Sequence, residues 1–164
     1  MEDAGLRDVV NALEARISRL EDQLAIHRLI NSWGPAVDTG QAEAAAALFS
    51  DDAVLKSDMS HLIGPAAIEE MVHSDGQQAL IRQGSAHIPA FPLVEIDGDS
   101  ARALGYSRVY LHTESGYEVW RVSANYWEFR RTANGWRVSS RVNHVIDGGP
   151  EAQELLAGWF KQQT

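Results

Sequence analysis

The hydrophobic period changes near residue 86, and that change constrains the fold more than any other feature of the chain. Before it, apolar residues recur three and four apart; after it they alternate, in runs separated by turn residues. Leu6, Val10, Leu13, Ile17, Leu20 and Leu24 step four and three residues apart, which is a heptad seam rather than a general amphipathic face. Such a stripe needs a cover, either the chain's own domain or a partner subunit. The helical pattern continues through Ile26 and Ile30 to Gly34-Pro35, where proline's missing amide predicts a kink, and Asp38-Thr39-Gly40 marks a turn. A second helix is expected over Ala42 to Phe49, a short strand over Ala53 to Lys56, and a third helix from Gly64-Pro65 through Met71. Strands follow over 86–96, 100–112, 117–132 and 135–146, with Asp97-Gly98-Asp99 and Asn134-Gly135 as turns. Glu151 to Lys161 reads as a closing helix with Leu155, Leu156 and Phe160 on its apolar side. Three helices before a four-strand antiparallel meander make an α+β fold in which a curved sheet wraps around the helices.

A chain of 164 residues, 45% hydrophobic, suffices for one core and is short for two. We therefore expect one domain over 1–164, with 1–16 as an N-terminal helical extension. The net charge of -9 argues against a nucleic-acid surface, which needs clustered Lys and Arg to neutralise phosphates. With no cysteine there is no disulfide framework, thiolate metal site or thiol nucleophile. The N-terminus lacks a basic n-region followed by an apolar stretch, and no apolar run approaches the roughly 20 residues of a membrane span. A cytoplasmic protein with a small-molecule partner is the expectation.

Polar residues interrupt the strands where a core would want none. In Ser123-Ala124-Asn125-Tyr126-Trp127, Ser123 and Asn125 share one face with Trp127 and Phe129, which need burial. His87 and His112 sit near the ends of strand-like segments, and Asp38 ends the first helical pattern. These are the parts of an acid/base pocket. Each also has a plainer reading: a satisfied strand histidine for His87, ordinary turn chemistry for Asp38, an exposed face for Ser123 and Asn125. His112 points into the pocket only if a bulge lies between it and Gly105. Trp33 lines the pocket or simply packs in the core, and Arg141 is an anion anchor or a surface ion pair. His27 reads as structural, His61 and His73 as solvated, and His144 as packing near the pocket mouth. Two histidines and a carboxylate can bind iron, but no close His-x-Asp/Glu spacing supports a metal.

The order of helix, Asp-x-Gly turn, short helix ending Leu-Phe-Ser-Asp-Asp-Ala, and meander with "DGDSA" and "NGW" turns resembles the SnoaL-like branch of the NTF2-like superfamily over roughly residues 17 to 147. That resemblance implies a cone, with the sheet curled around the helices and a deep apolar pocket. The polar positions are most similar to the scytalone dehydratase family: its aspartate falls on Asp38, its histidines on His87 and His112, and its Ser-x-Asn pair on Ser123 and Asn125. Val37 stands where that family has a tyrosine, and no second tyrosine is found near Leu55 to Asp58, so polarisation of a substrate oxygen must come from elsewhere.

Elimination or isomerisation beside a carbonyl needs a base for a carbon-bound proton, an acid for the oxygen, and donors for the enolate. His87 is expected as base, Asp38 as its orienter, and His112 as a second acid or donor, with Ser123, Asn125, Trp33 and Arg141 around the substrate. The function expected is a cofactor-independent lyase or isomerase, dehydratase-like, acting on a small cyclic hydroxy-ketone or a polyketide- or steroid-like compound. The alternative is a noncatalytic ligand-binding or association subunit, like the small subunits of ring-hydroxylating dioxygenases. The heptad seam and the sheet's convex face together lead us to expect a homo-oligomer, trimer or dimer.

Overall fold

The computed structural model describes residues 2–161. One helix, α1 (Glu2–Asp38), takes up the heptad-bearing segment and continues to the Asp-Thr-Gly turn, with Pro35 inside it. The proline is on the exposed side, so the helix loses one amide–carbonyl bond and keeps its packed face instead of ending there. That face is Ile26, Ile30, Trp33 and Val37, all buried. Ahead of it every side chain from Gly5 to Glu21 is exposed. The chain's own domain therefore does not cover the heptad seam.

Helix α2 (Ala42–Ala46) stops short of Phe49, because Phe49 opens strand β1 (Phe49–Ser57), longer than the expected 53–56. Strand β1 pairs in parallel with the last strand, β7 (Gly135–Val145), and the Leu48 carbonyl accepts from the Val138 amide at 2.9 Å. A hairpin partner, β2 (His61–Ile63), flanks β1 before α3 (Gly64–His73). Helix α4 (Asp75–Gln83) occupies a stretch to which the hydrophobic pattern assigns no element. Its start is nevertheless written in Ser74-x-x-Gln77: the Ser74 hydroxyl accepts the Gln77 amide at 3.4 Å, and Gly84 at φ 92 closes the other end.

The segment expected as one strand over 86–96 divides into β3 (Ser85–Pro89) and β4 (Leu93–Asp97). Pro89 and Pro92 cannot donate to a ladder, and the intervening Ala90-Phe91-Pro92 steps over Gly105, whose missing side chain lets Pro92 approach. Both pieces pair with β5 (Ser100–Thr113), which pairs with β6 (Gly116–Thr132), and β6 with β7. The result is a seven-stranded mixed sheet, order β2-β1-β7-β6-β5-β3 with β4 also on β5, rather than a four-strand meander. Extra residues at Trp120 in β6 and Ser139 in β7 shift the register and add to the curl of these long strands. Helix α5 (Pro150–Lys161) closes the chain. Its buried stripe is Ala152 and Trp159, seven residues apart, with Leu155 and Leu156 half-buried, while Phe160 is exposed.

The bulge decides the place of His112. It falls in β6, not β5, so the alternation along β5 is unbroken: Val109 and Leu111 are buried and His112 is on the opposite, exposed face. There its ring meets Tyr117 edge-on at 5.1 Å.

Candidate active site

Inside the curved sheet, between α1, α3, α4 and strands β1, β5, β6 and β7, lies a cavity of about 490 Å³. Leu55, Leu62, Met71, Leu80, Val109 and Trp120 are part of its apolar wall. His87 and Arg141 stand in the same wall, with Trp33, Ser107, Ser123 and Asn143.

The Asp38–His87 pair is built by a close crossing of α1 over β3. A Cβ at Gly34 would overlap the His87 carbonyl oxygen, so only glycine allows the two backbones to approach this closely. One turn later, Asp38 reaches β3 with both carboxylate oxygens. Oδ2 accepts the His87 backbone amide at 2.7 Å, and Oδ1 lies 2.6 Å from His87 Nδ1 and accepts the Ser85 hydroxyl at 2.8 Å. The pair is mostly shielded, with the histidine side chain 21% and the aspartate 15% exposed. Burial by itself raises the Asp38 pKa; the bonds from the His87 ring and amide, the attraction to the ring when it is protonated and the Ser85 hydroxyl outweigh it and hold the carboxyl below its ordinary value. An ionised Asp38 accepts from Nδ1–H, which leaves Nε2 of a neutral His87 as the lone-pair nitrogen.

Across the cavity the polar residues of β6 and β7 form one network. Asn125 and Asn143 are register partners, as are Asn125 and Gly105 on the other side. Both ends of the Asn125 amide are committed to protein: Oδ1 accepts from Arg141 Nε at 3.2 Å, Arg141 Nη2 at 2.8 Å and Asn143 Nδ2 at 2.8 Å, and Nδ2 donates to Ser107 Oγ at 2.8 Å. Asn125 borders a second space of about 20 Å³ behind His87, not the large cavity. Its amide oxygen is bound to Arg141, and it is outside the lining of the large cavity. Ser123 reaches the large cavity, and its hydroxyl accepts from Arg121 Nε at 3.0 Å.

Arg141 is the least conventional member. Its guanidinium lies between the rings of Trp33 and Trp127, 4.9 and 4.4 Å from their centroids. It bonds the neutral Asn125 amide, and no ion pair ties it to a carboxylate among the described residues. Arg121 nearby is paired with Asp58 at 3.0 Å. Burial, reinforced by the Arg121 charge, pushes Arg141 down to about 9. It remains a cation at neutral pH, buried without a counter-ion and facing the cavity. Such a charge is costly unless something negative comes to it.

The structure thus brings together Asp38, His87, Trp33, Ser123 and Arg141, keeps Asn125 one layer back, and leaves His112 outside. His144 lies 2.7 Å from Asp58, which also pairs with the cavity-lining Arg121. His27 packs against Phe91, ring to ring at 4.4 Å, while His61 and His73 are exposed. Ser85, Ser107 and Arg121 went unrecognised in the sequence. For Ser107 a signal existed, since the hairpin sets it opposite Ser123 on the face that carries Asn125.

Comparison with known proteins agrees with this architecture. Residues 18–142 match the SnoaL-like domain, and the chain belongs to that family. Its fold is NTF2-like. An NTF2-like protein with a cystatin-like fold from Novosphingobium aromaticivorans is 37% identical, with a TM-score of 0.85 over 88% of this chain and 94% of that one. A hexachlorocyclohexane dehydrochlorinase from Novosphingobium barchaimii is 18% identical, with a TM-score of 0.69 over 80% and 90%. An NTF2-like superfamily protein from Salmonella enterica is 14% identical, with a TM-score of 0.64 over 80% and 99%. No functionally curated protein sequence matches the chain.

Proposed function

We propose that the chain is a cofactor-independent acid/base lyase or isomerase acting on a small, largely apolar cyclic hydroxy-ketone. The observation that carries the reading is the 2.6 Å Asp38–His87 contact in the wall of a cavity that also holds an unpaired buried Arg141. His87 Nε2 takes a proton from the carbon beside the carbonyl, and the C–H electron pair moves into a carbon–carbon double bond as the carbonyl oxygen gains charge. Asp38 holds the ring in the required tautomer and stabilises the imidazolium. Arg141 faces the charged oxygen and takes the part that tyrosines play in the scytalone dehydratase family, with Ser123 beside it. The imidazolium then returns its proton, either to a departing hydroxyl, giving water and an enone, or to another carbon, giving an isomer. The cavity volume is that of a small-molecule site, and its apolar wall suits a ring compound.

The test is a panel of cyclic β-hydroxy-ketones followed by enone absorbance, with His87→Gln as the comparison. Turnover by the wild type that falls about 10²-fold or more in His87→Gln supports the mechanism. Full activity in that variant sinks the mechanism, and a wild type that turns over no member of the panel leaves a binding module as the better reading.

A further inference from the structure

We infer that the projecting part of α1 is one strand of a parallel two-stranded coiled coil, its partner a second copy of this chain. Leu6, Val10, Leu13, Ile17, Leu20 and Leu24 line one side of the helix over about 27 Å, and all are between 42% and 65% exposed. The domain cannot close this seam by itself. Leu24 and Ile26 are two residues apart, hence about 200° apart around the helix, so the seam points away from the face that enters the core. At the next seam position, His27, the Phe91 ring is already stacked, and this marks where the seam stops.

The residue types choose the partner. Assigning Val10, Ile17 and Leu24 to position a puts Leu6, Leu13 and Leu20 at d; two of the three a residues are β-branched, and β-branched residues at a with leucine at d favour two parallel strands. Flanking charges agree: in a parallel, in-register pair Arg16 at g meets Glu21 at e of the second copy, twice by symmetry. An antiparallel pair over the same seam sets Glu14 against Glu14 and Arg16 against Arg16 at its centre, although its outer Arg7–Glu21 pairs are favourable. The seam is under three heptads long, and an isolated helix of that length is marginal in water. Here the helix is already anchored from Ile26 onward, which lowers the cost of ordering it for association.

Because the chain has no cysteine, single cysteines report the geometry in the full-length protein. Leu13→Cys should form a disulfide-linked dimer on mild oxidation, since identical d positions face one another in a parallel pair. Arg19→Cys, on the outer side, should cross-link roughly tenfold less. Leu13→Glu with Ile17→Glu, both at exposed positions, should halve the native mass seen by light scattering. A native mass that the double variant leaves unchanged, or a wild-type mass of three chains, overturns the proposal. Cross-linking only when Leu13→Cys is mixed with Ile17→Cys overturns it in favour of an antiparallel pair.

Discussion

Gly34→Ala is a one-methyl change that tests how the Asp38–His87 pair is held together. On an exposed helix, alanine in place of glycine stabilises by about 1 kcal/mol. Here the new Cβ overlaps the His87 carbonyl oxygen and lies 3.2 Å from its carbon. Both are backbone atoms in regular elements, so no rotamer can relieve the contact, and α1 and β3 must part by about 1 Å. Overpacking of this kind costs about 1–3 kcal/mol. Asp38 is one turn away, and the same displacement stretches its 2.6 and 2.7 Å bonds to the His87 ring and amide. Weakening charge-assisted bonds adds about 2 kcal/mol. The net loss is about 3 kcal/mol, which for a chain of this size lowers Tm by roughly 6–12 °C. Calorimetry checks the stability, and the imidazole nitrogen spectrum of His87 checks the pair. A variant that melts above the wild type and keeps the His87 signals unchanged would refute the argument that glycine at 34 builds the site.

Three further outcomes separate binding, positioning and stability. Asp38→Asn removes a carboxylate whose pKa is depressed by folding, so wild-type stability should be fully present above the ordinary carboxylate value near 4 and be lost as pH falls through the lower folded value. The stability gap between wild type and Asp38→Asn, measured by urea titration, should therefore be at full size once the pH is above the ordinary carboxylate value and close in acid. Arg141→Met removes a buried cation without a counter-ion while keeping bulk between Trp33 and Trp127; melting should be unchanged or stabilised by about 1–4 kcal/mol, while turnover falls about 10²–10³-fold. Asn125→Ala should move stability the other way, by about 2–4 kcal/mol, because it strands the Arg141 and Asn143 donors, and it should lower turnover through Arg141.

The α+β order, the long first helix and the polar parity of the last strands were legible in the sequence because they rest on local periodicity. The heptad of Leu6 to Leu24 and the shared face of Ser123, Asn125 and Trp127 need only a repeat of 3.5 or 2 residues to be seen. The capping residues Ser74 and Gly84 were equally local, and the helix they enclose could have been found by the same means. Other features depend on partners remote in sequence. The parallel pairing of β1 with β7 joins residues far apart in the chain, and no local pattern encodes it. Which strand carries a bulge decides whether His112 or Leu111 faces inward, and alternation along β5 reads the same either way until β6 supplies the extra Trp120. The identity of Asn125 and Arg141 was visible, but not that one would exhaust its amide holding the other between two indoles. Only the tertiary structure decided that, because burial and hydrogen-bond satisfaction are properties of the assembled site, whereas periodicity is already complete in the unfolded chain.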